Sequence, residues 1–182
     1  MRKFLFLAST VLGMFISMDL SAQGHKIFLK IDGIEGDATQ VGFNGQIDVW
    51  SMSQGAAGCP VESSNRSGCK INSSGFNLMT SLSKGTLQLK EKLYTGKVLP
   101  EVLLTFLKAG GDSPFTYYTI LLKNVTVTSL QESASSELPT VSIELSPSSA
   151  IWTYFSQGVG GQQGSSFKFG WDFLKNVAIP TP

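Results

Sequence analysis

The segment KGTLQLKEKLYTGKVLPEVLLTFLKAGGDSPFTYYTILLKNVTVTSL, residues 84–130, decides how the rest of the chain is read. Thr86 to Tyr94 is built of good helix formers, with Leu89 and Leu93 four apart on one face and Lys90, Glu91 and Lys92 toward solvent. Gly96 stands where a helix needs a left-handed terminal residue, Lys97 puts a cation near the negative end of the helix dipole, and Pro100 forbids helical continuation. Leu103 to Leu107 is an apolar run, and Ala109-Gly110-Gly111-Asp112 turns the chain through two residues able to take positive φ. Phe115 to Thr128 is rich in aromatic and β-branched residues, and both of its faces are apolar. The pattern predicts a short helix, a strand, a glycine hairpin and a long strand covered on two sides.

Bulk composition agrees with a predominantly β domain. The 182 residues suit one domain, or one domain plus an export segment; 15% are charged and 42% hydrophobic, which argues against a disordered chain and suffices for a core. Net charge is +1, with no basic stripe, so nothing electrostatic argues for nucleic-acid binding. Glycine is abundant at 19 residues, as expected of many turns.

Residues 1–22 read as a signal peptide. Arg2-Lys3 is a basic start, Phe4 to Met18 is apolar, and Ser21-Ala22 offers small residues before Gln23, although Leu20 is large for its place. The stretch is short for a membrane span, so no span is expected after cleavage. The remainder, 23–182, reads as one domain with its core at about 27–177.

Ile27 to Ile31 alternates as a strand and ends in the turn Asp32-Gly33-Ile34-Glu35-Gly36. Ile47 to Ser53 is a second strand, whose Trp50 is expected to pack. Gln54 to Gly75, dense in Ser, Gly and Asn, reads as a long loop holding both cysteines, Cys59 and Cys69. In an exported chain two such neighbours pair most simply as a disulfide. Phe76 to Leu82, Val141 to Leu145, Ile151 to Tyr154 and Lys168 to Asp172 are further strands; 131–137 and 156–166 are loops, and 178–182 a loose tail.

Six segments in order resemble the haemolysin-coregulated protein (Hcp) family, the inner-tube proteins of type VI secretion. They are Lys30-x-x-Gly33-Ile34-x-Gly36; Ile47 to Ser53; the run Tyr94-Thr95-Gly96-Lys97, Leu104-Thr105, Lys108-Ala109-Gly110-Gly111 and Ile120 to Val125; Leu138-Pro139-Thr140 with its following strand; Ile151 to Tyr154; and Gly170-Trp171-Asp172 with Asn176. The resemblance implies a small antiparallel β-barrel or two-sheet sandwich with one flanking helix. It further implies a homohexameric ring that can stack into a tube, dealings with sheath, spike or effector proteins, and inter-subunit contacts at Lys30, Lys97 and Lys108. One feature departs from the family: its tube subunits ordinarily lack a cleavable signal peptide. Export would make this protein secreted or periplasmic; a start site downstream would instead leave it cytoplasmic until secreted. An exported stand-alone binding module keeping the same fold is the alternative function.

No catalytic constellation or cofactor is expected. His25 is the only histidine, no G-x-S-x-G elbow occurs, and Gly158 to Gly164 lacks the Lys-Ser/Thr of a phosphate loop. Two cysteines and one remote histidine are too few for a metal site. Asp32 with Glu35, and Glu132 with Glu137, read as solvated turn carboxylates.

Overall fold

The computed structural model describes residues 25–58, 70–108, 114–135, 138–158 and 163–181. Among the described residues ten strands and one helix follow in order: β1 (Lys26–Ile31), β2 (Ile47–Ser53), β3 (Ala56–Ala57), β4 (Asn72–Ser73), β5 (Phe76–Ser81), α1 (Lys84–Thr95), β6 (Leu99–Lys108), β7 (Phe115–Ser133), β8 (Thr140–Gln157), β9 (Gln163–Asp172) and β10 (Val177–Ile179). All pairings are antiparallel. The order β8-β5-β2-β1-β6-β7 closes on itself through the β7–β8 pairing, giving a six-stranded barrel. β9 and β10 extend from β8 as a wing, and β3–β4 forms a separate small ladder.

Period-two alternation fills the barrel. Leu29 and Ile31 of β1, Ile47 and Val49 of β2, Phe76 and Leu78 of β5, Val102 and Leu104 of β6, Ile120 and Leu122 of β7, and Val141, Ile143 and Leu145 of β8 are all buried in one cluster. α1 packs on β7 and contributes Leu89, which is fully buried. Its start is a reciprocal cap: Ser83 Oγ accepts from the Thr86 amide at 3.2 Å, and Thr86 Oγ1 accepts from the Ser83 amide at 2.8 Å. Its end is Gly96 at φ 63°, with the amides of Gly96 and Lys97 returning to Leu93 and Lys92.

Several expectations are corrected. The strand expected from Leu103 starts four residues earlier, at Leu99, and accommodates Pro100 on its way into β6. Val141–Leu145 and Ile151–Tyr154 are not two strands but parts of β8. β8 pairs with β5 up to Leu145 and with β9 from Ser149, so Pro147 falls in the gap between two partners, where a missing N–H is tolerated. β7 continues to Ser133, which turns the start of the expected 131–137 loop into strand. β9 begins at Gln163, inside the expected 156–166 loop. The expected loose tail, 178–182, begins in strand: Ala178 and Ile179, after Val177, pair with Trp171 and Gly170. Within the long loop, Ala56 and Ala57 pair with Ser73 and Asn72, so its base is a short ladder. Trp50 is not packed; it lies at a register shift in β2, between buried Val49 and Ser51, and is 49% exposed.

Candidate assembly surface

The family-motif residues do not meet at one site; most of them shape turns. Gly33 has φ +78° and lets Ile34 fold back on Ile31, where the Ile34 amide donates to the Ile31 carbonyl at 3.2 Å. Ile34 itself is buried in the core. Gly36 lies so close to the next turn that a Cβ would stand 2.3 Å from the Gln46 carbonyl oxygen. Gly170 is buried beneath β10, where a Cβ would meet that of Ile179 at 3.0 Å. Asp172 Oδ1 accepts from the amides of Leu174 and Lys175 at 3.0 and 2.9 Å, closing the turn into β10. Asn176 takes φ 56°, and its side-chain oxygen accepts from the Ile71 amide at 3.0 Å, tying this turn to the base of the long loop. Of the three lysines, Lys30 and Lys97 are exposed, whereas Lys108 lies over the rings of Phe115 and Tyr117 at 5.0 and 5.5 Å. Gly110, Gly111, Cys59 and Cys69 lie outside the described residues, as do residues 1–24.

What the motifs frame is an aromatic surface on the β8–β9 wing. The register sets Phe167 beside Tyr154, Phe169 beside Trp152 and Trp171 beside Ala150, so these side chains share the face that lower down forms the core. Trp152 stacks on Phe169 at 5.6 Å between centroids and meets Phe173 edge-on at 6.2 Å; Phe169 in turn stacks on Trp171 at 6.2 Å. With Tyr118 on one side and Gln54, Ala56 and Ile71 of the loop base on the other, they enclose an open mouth of about 530 Å³. Phe167 is 71% exposed, and Tyr154, Phe169 and Val177 are each about half exposed. The Trp171 indole N–H is buried with no hydrogen-bond partner among the described residues.

The same wing has an open edge. β10 covers only Gly170 to Asp172, and Pro180 has no N–H to continue the ladder, so Gln163 to Phe169 have no strand on their outer side among the described residues. The aromatic cluster was legible as Phe167-x-Phe169-x-Trp171, a period-two stripe, set against Trp152-x-Tyr154. What hid it was the expectation that β9 starts only at Lys168.

Among the described residues no charged side chain lines the mouth. Glu35, taken from sequence as solvated, forms an exposed pair with Lys84 at 2.8 Å; this hydrogen bond, and then the charge of Lys84, holds its carboxyl below the usual range. Glu132 is likewise paired, with Lys90 at 3.0 Å, which joins α1 to β7 and raises the lysine's pKa. Burial pushes the Tyr118 phenol above the ordinary tyrosine value, with Tyr117 adding to it. Among the described residues no group of three or more His, Cys, Asp or Glu could hold a metal, and no helix is long and apolar enough to cross a membrane. An uncharged, aromatic, half-open surface is fit for docking another chain.

Comparison with known proteins gives consistent matches. Residues 28–154 match the family model described as type VI secretion system effector, Hcp. The protein hcp1 of Pseudomonas aeruginosa is 28% identical over 156 residues, spanning 83% of this chain and 96% of that protein. The crystal structure of Hcp1 from Salmonella typhimurium superposes with a TM-score of 0.71 at 24% identity, covering 85% of this chain and 99% of the other. A solved type six secretion system protein gives 0.77 at 21% identity, covering 86% and 100%.

Proposed function

This chain belongs to the Hcp family of type VI secretion system effectors, and on that premise we propose that it is the repeating subunit of a hexameric ring. Such rings stack into a tube that serves as conduit or carrier for secreted effectors, with sheath and spike proteins as further partners. Its work is mechanical, with no bond-making step. The observation that carries this reading is the β9 wing, where exposed Phe167 and Phe169 adjoin an edge that no strand covers among the described residues. A head-to-tail contact that covers this wing on every copy closes by rotation into a ring. The mass of the chain in solution by light scattering tests it: six copies support the ring.

Residues 1–22 favour a second reading, in which the chain is exported and stands alone as a binding module. It predicts a monomer. Cleavage before Gln23 and a secreted or periplasmic location are tested by N-terminal sequencing of the protein from each compartment; a cytoplasmic start downstream is the contrary result.

Cys59 and Cys69 form a disulfide in this proposal. The β3–β4 ladder supports it by holding the two ends of the loop side by side at Ala57 and Asn72. Closing so short a loop stabilises by roughly 2–3 kcal/mol. Unreduced peptide mapping should find the cross-link; free thiols at both positions in the exported protein would refute it.

A further inference from the structure

We propose that the Asn44 carboxamide is a one-way clasp. It holds the loop between β1 and β2 closed over Phe28, and its hydrolysis to a carboxylate, which needs the loop open, keeps the loop from closing again. Alternation along β1 puts Phe28 on the outer wall of the barrel, since Leu29 and Ile31 face inward. Phe28 is nonetheless only 2% exposed, and Phe43 of the loop stacks on it at 4.6 Å between centroids. A folded turn carries Phe43 there. Its amide donates to the Gln40 carbonyl at 2.8 Å, the Gly45 amide to Ala38 at 3.0 Å, and the Gly36 amide to Gly45 at 2.8 Å. Gly42 and Gly45 supply the left-handed backbone, at φ 83° and 74°. Asn44, next to Phe43, ties off the turn. With its nitrogen toward them, its carboxamide donates to the Thr39 carbonyl at 3.0 Å and the Gln40 carbonyl at 2.9 Å.

Asn44-Gly45 is also the one Asn-Gly step in the sequence. In that pair the backbone nitrogen meets least hindrance in attacking the preceding side chain, because glycine carries no Cβ. The Gly45 nitrogen bonds to Asn44 Cγ, the bond from Cγ to Nδ2 breaks, and ammonia leaves with the proton that the amide gives up. Water then opens the resulting succinimide to aspartate or isoaspartate, so no oxidant or cofactor is needed. In the closed loop the step is blocked at both atoms. The attacking nitrogen has its N–H on Ala38, and the leaving nitrogen is held by Thr39 and Gln40. Local opening frees both. Once formed, the carboxylate has no N–H to give, and closing would set its oxygens against two carbonyl oxygens. The converted loop stays open and leaves Phe28 uncovered on the barrel wall.

The test keeps the purified full chain native or in urea at one pH and temperature, and follows conversion of Asn44 by peptide mass mapping. The native chain should convert several-fold more slowly. Phe43→Ala removes the stacking ring but leaves Asn44 and Gly45 in place, and should convert several-fold faster than the native parent. Gly42→Ala, which strains a positive φ where a Cβ meets nothing within 4 Å, should act likewise if Phe43→Ala fails to fold. A cooperative melt shows that the barrel of each variant is intact. Hydrogen exchange read by mass spectrometry should find residues 36–46 several-fold less protected in Asn44→Asp than in the parent. Equal conversion in the native chain and in urea overturns the proposal, as does a folded opening variant that converts no faster than the parent. An Asn44→Asp loop as protected as the parent's overturns it equally.

Discussion

Gly33 and Gly36 are three residues apart in one turn, yet they are constrained by different physics. Gly33 has open space around it and needs only its positive φ, so Gly33→Ala costs the left-handed penalty of about 1 kcal/mol. Gly36 faces the Gln46 backbone, which cannot swing aside as a side chain would, so Gly36→Ala should cost more, roughly 2–3 kcal/mol. Urea melts of the two variants should rank in that order. Tyr118 gives a pH prediction. Burial raises its folded-state pKa above the unfolded value, so its contribution is complete below the ordinary tyrosine pKa and is lost as pH rises through the folded value. Melting temperature should decline from about pH 10 upward, and less steeply in Tyr118→Phe. At this scale the sequence was informative about turns, because Gly96 and Asp172 have local jobs. It was misleading about Trp50, since whether an indole is inside depends on strand phase: with Ile47 and Val49 inward, Asp48 and Trp50 point out.

Among the elements, α1 was readable because every determinant lies within its own span: the leucines at Leu89 and Leu93, and the left-handed stop at Gly96. Its Ser83–Thr86 cap, apparent only in the structure, makes Ser83→Ala worth about 1 kcal/mol in thermal unfolding. Leu89→Ala, which empties a fully buried site, should cost about 2–5 kcal/mol. β8 was misread because its continuity is settled by others. Ser146 to Ser149, with Pro147 among them, look like a break, but β7 runs alongside from Thr140 to Tyr154 while β5 and β9 share the other edge. β10 was missed for a like reason: three residues flanked by a turn and a proline gain their strand conformation only from β9. Local signals thus identified elements that specify themselves and failed where a partner strand does the specifying.

For the molecule as a whole, closure of the barrel removes the free edges of six strands, and among the described residues the wing is a place where apolar surface and open backbone coincide. Phe167→Asp separates folding from assembly. The side chain is largely exposed in the single subunit, so its replacement should leave the melting curve within about 0.5 kcal/mol, while a charge in an apolar interface should abolish rings. The barrel and its helix were legible from alternation and caps. The wing was read only in part, because its period-two stripe Phe167-x-Phe169-x-Trp171 begins before Lys168, inside the expected 156–166 loop. The most direct test of the account is the mass of the chain lacking residues 1–22, by light scattering with negative-stain microscopy of the same sample. The account predicts six copies arranged around a central hole; a monomer that persists at high concentration, with no rings on the grid, would contradict it.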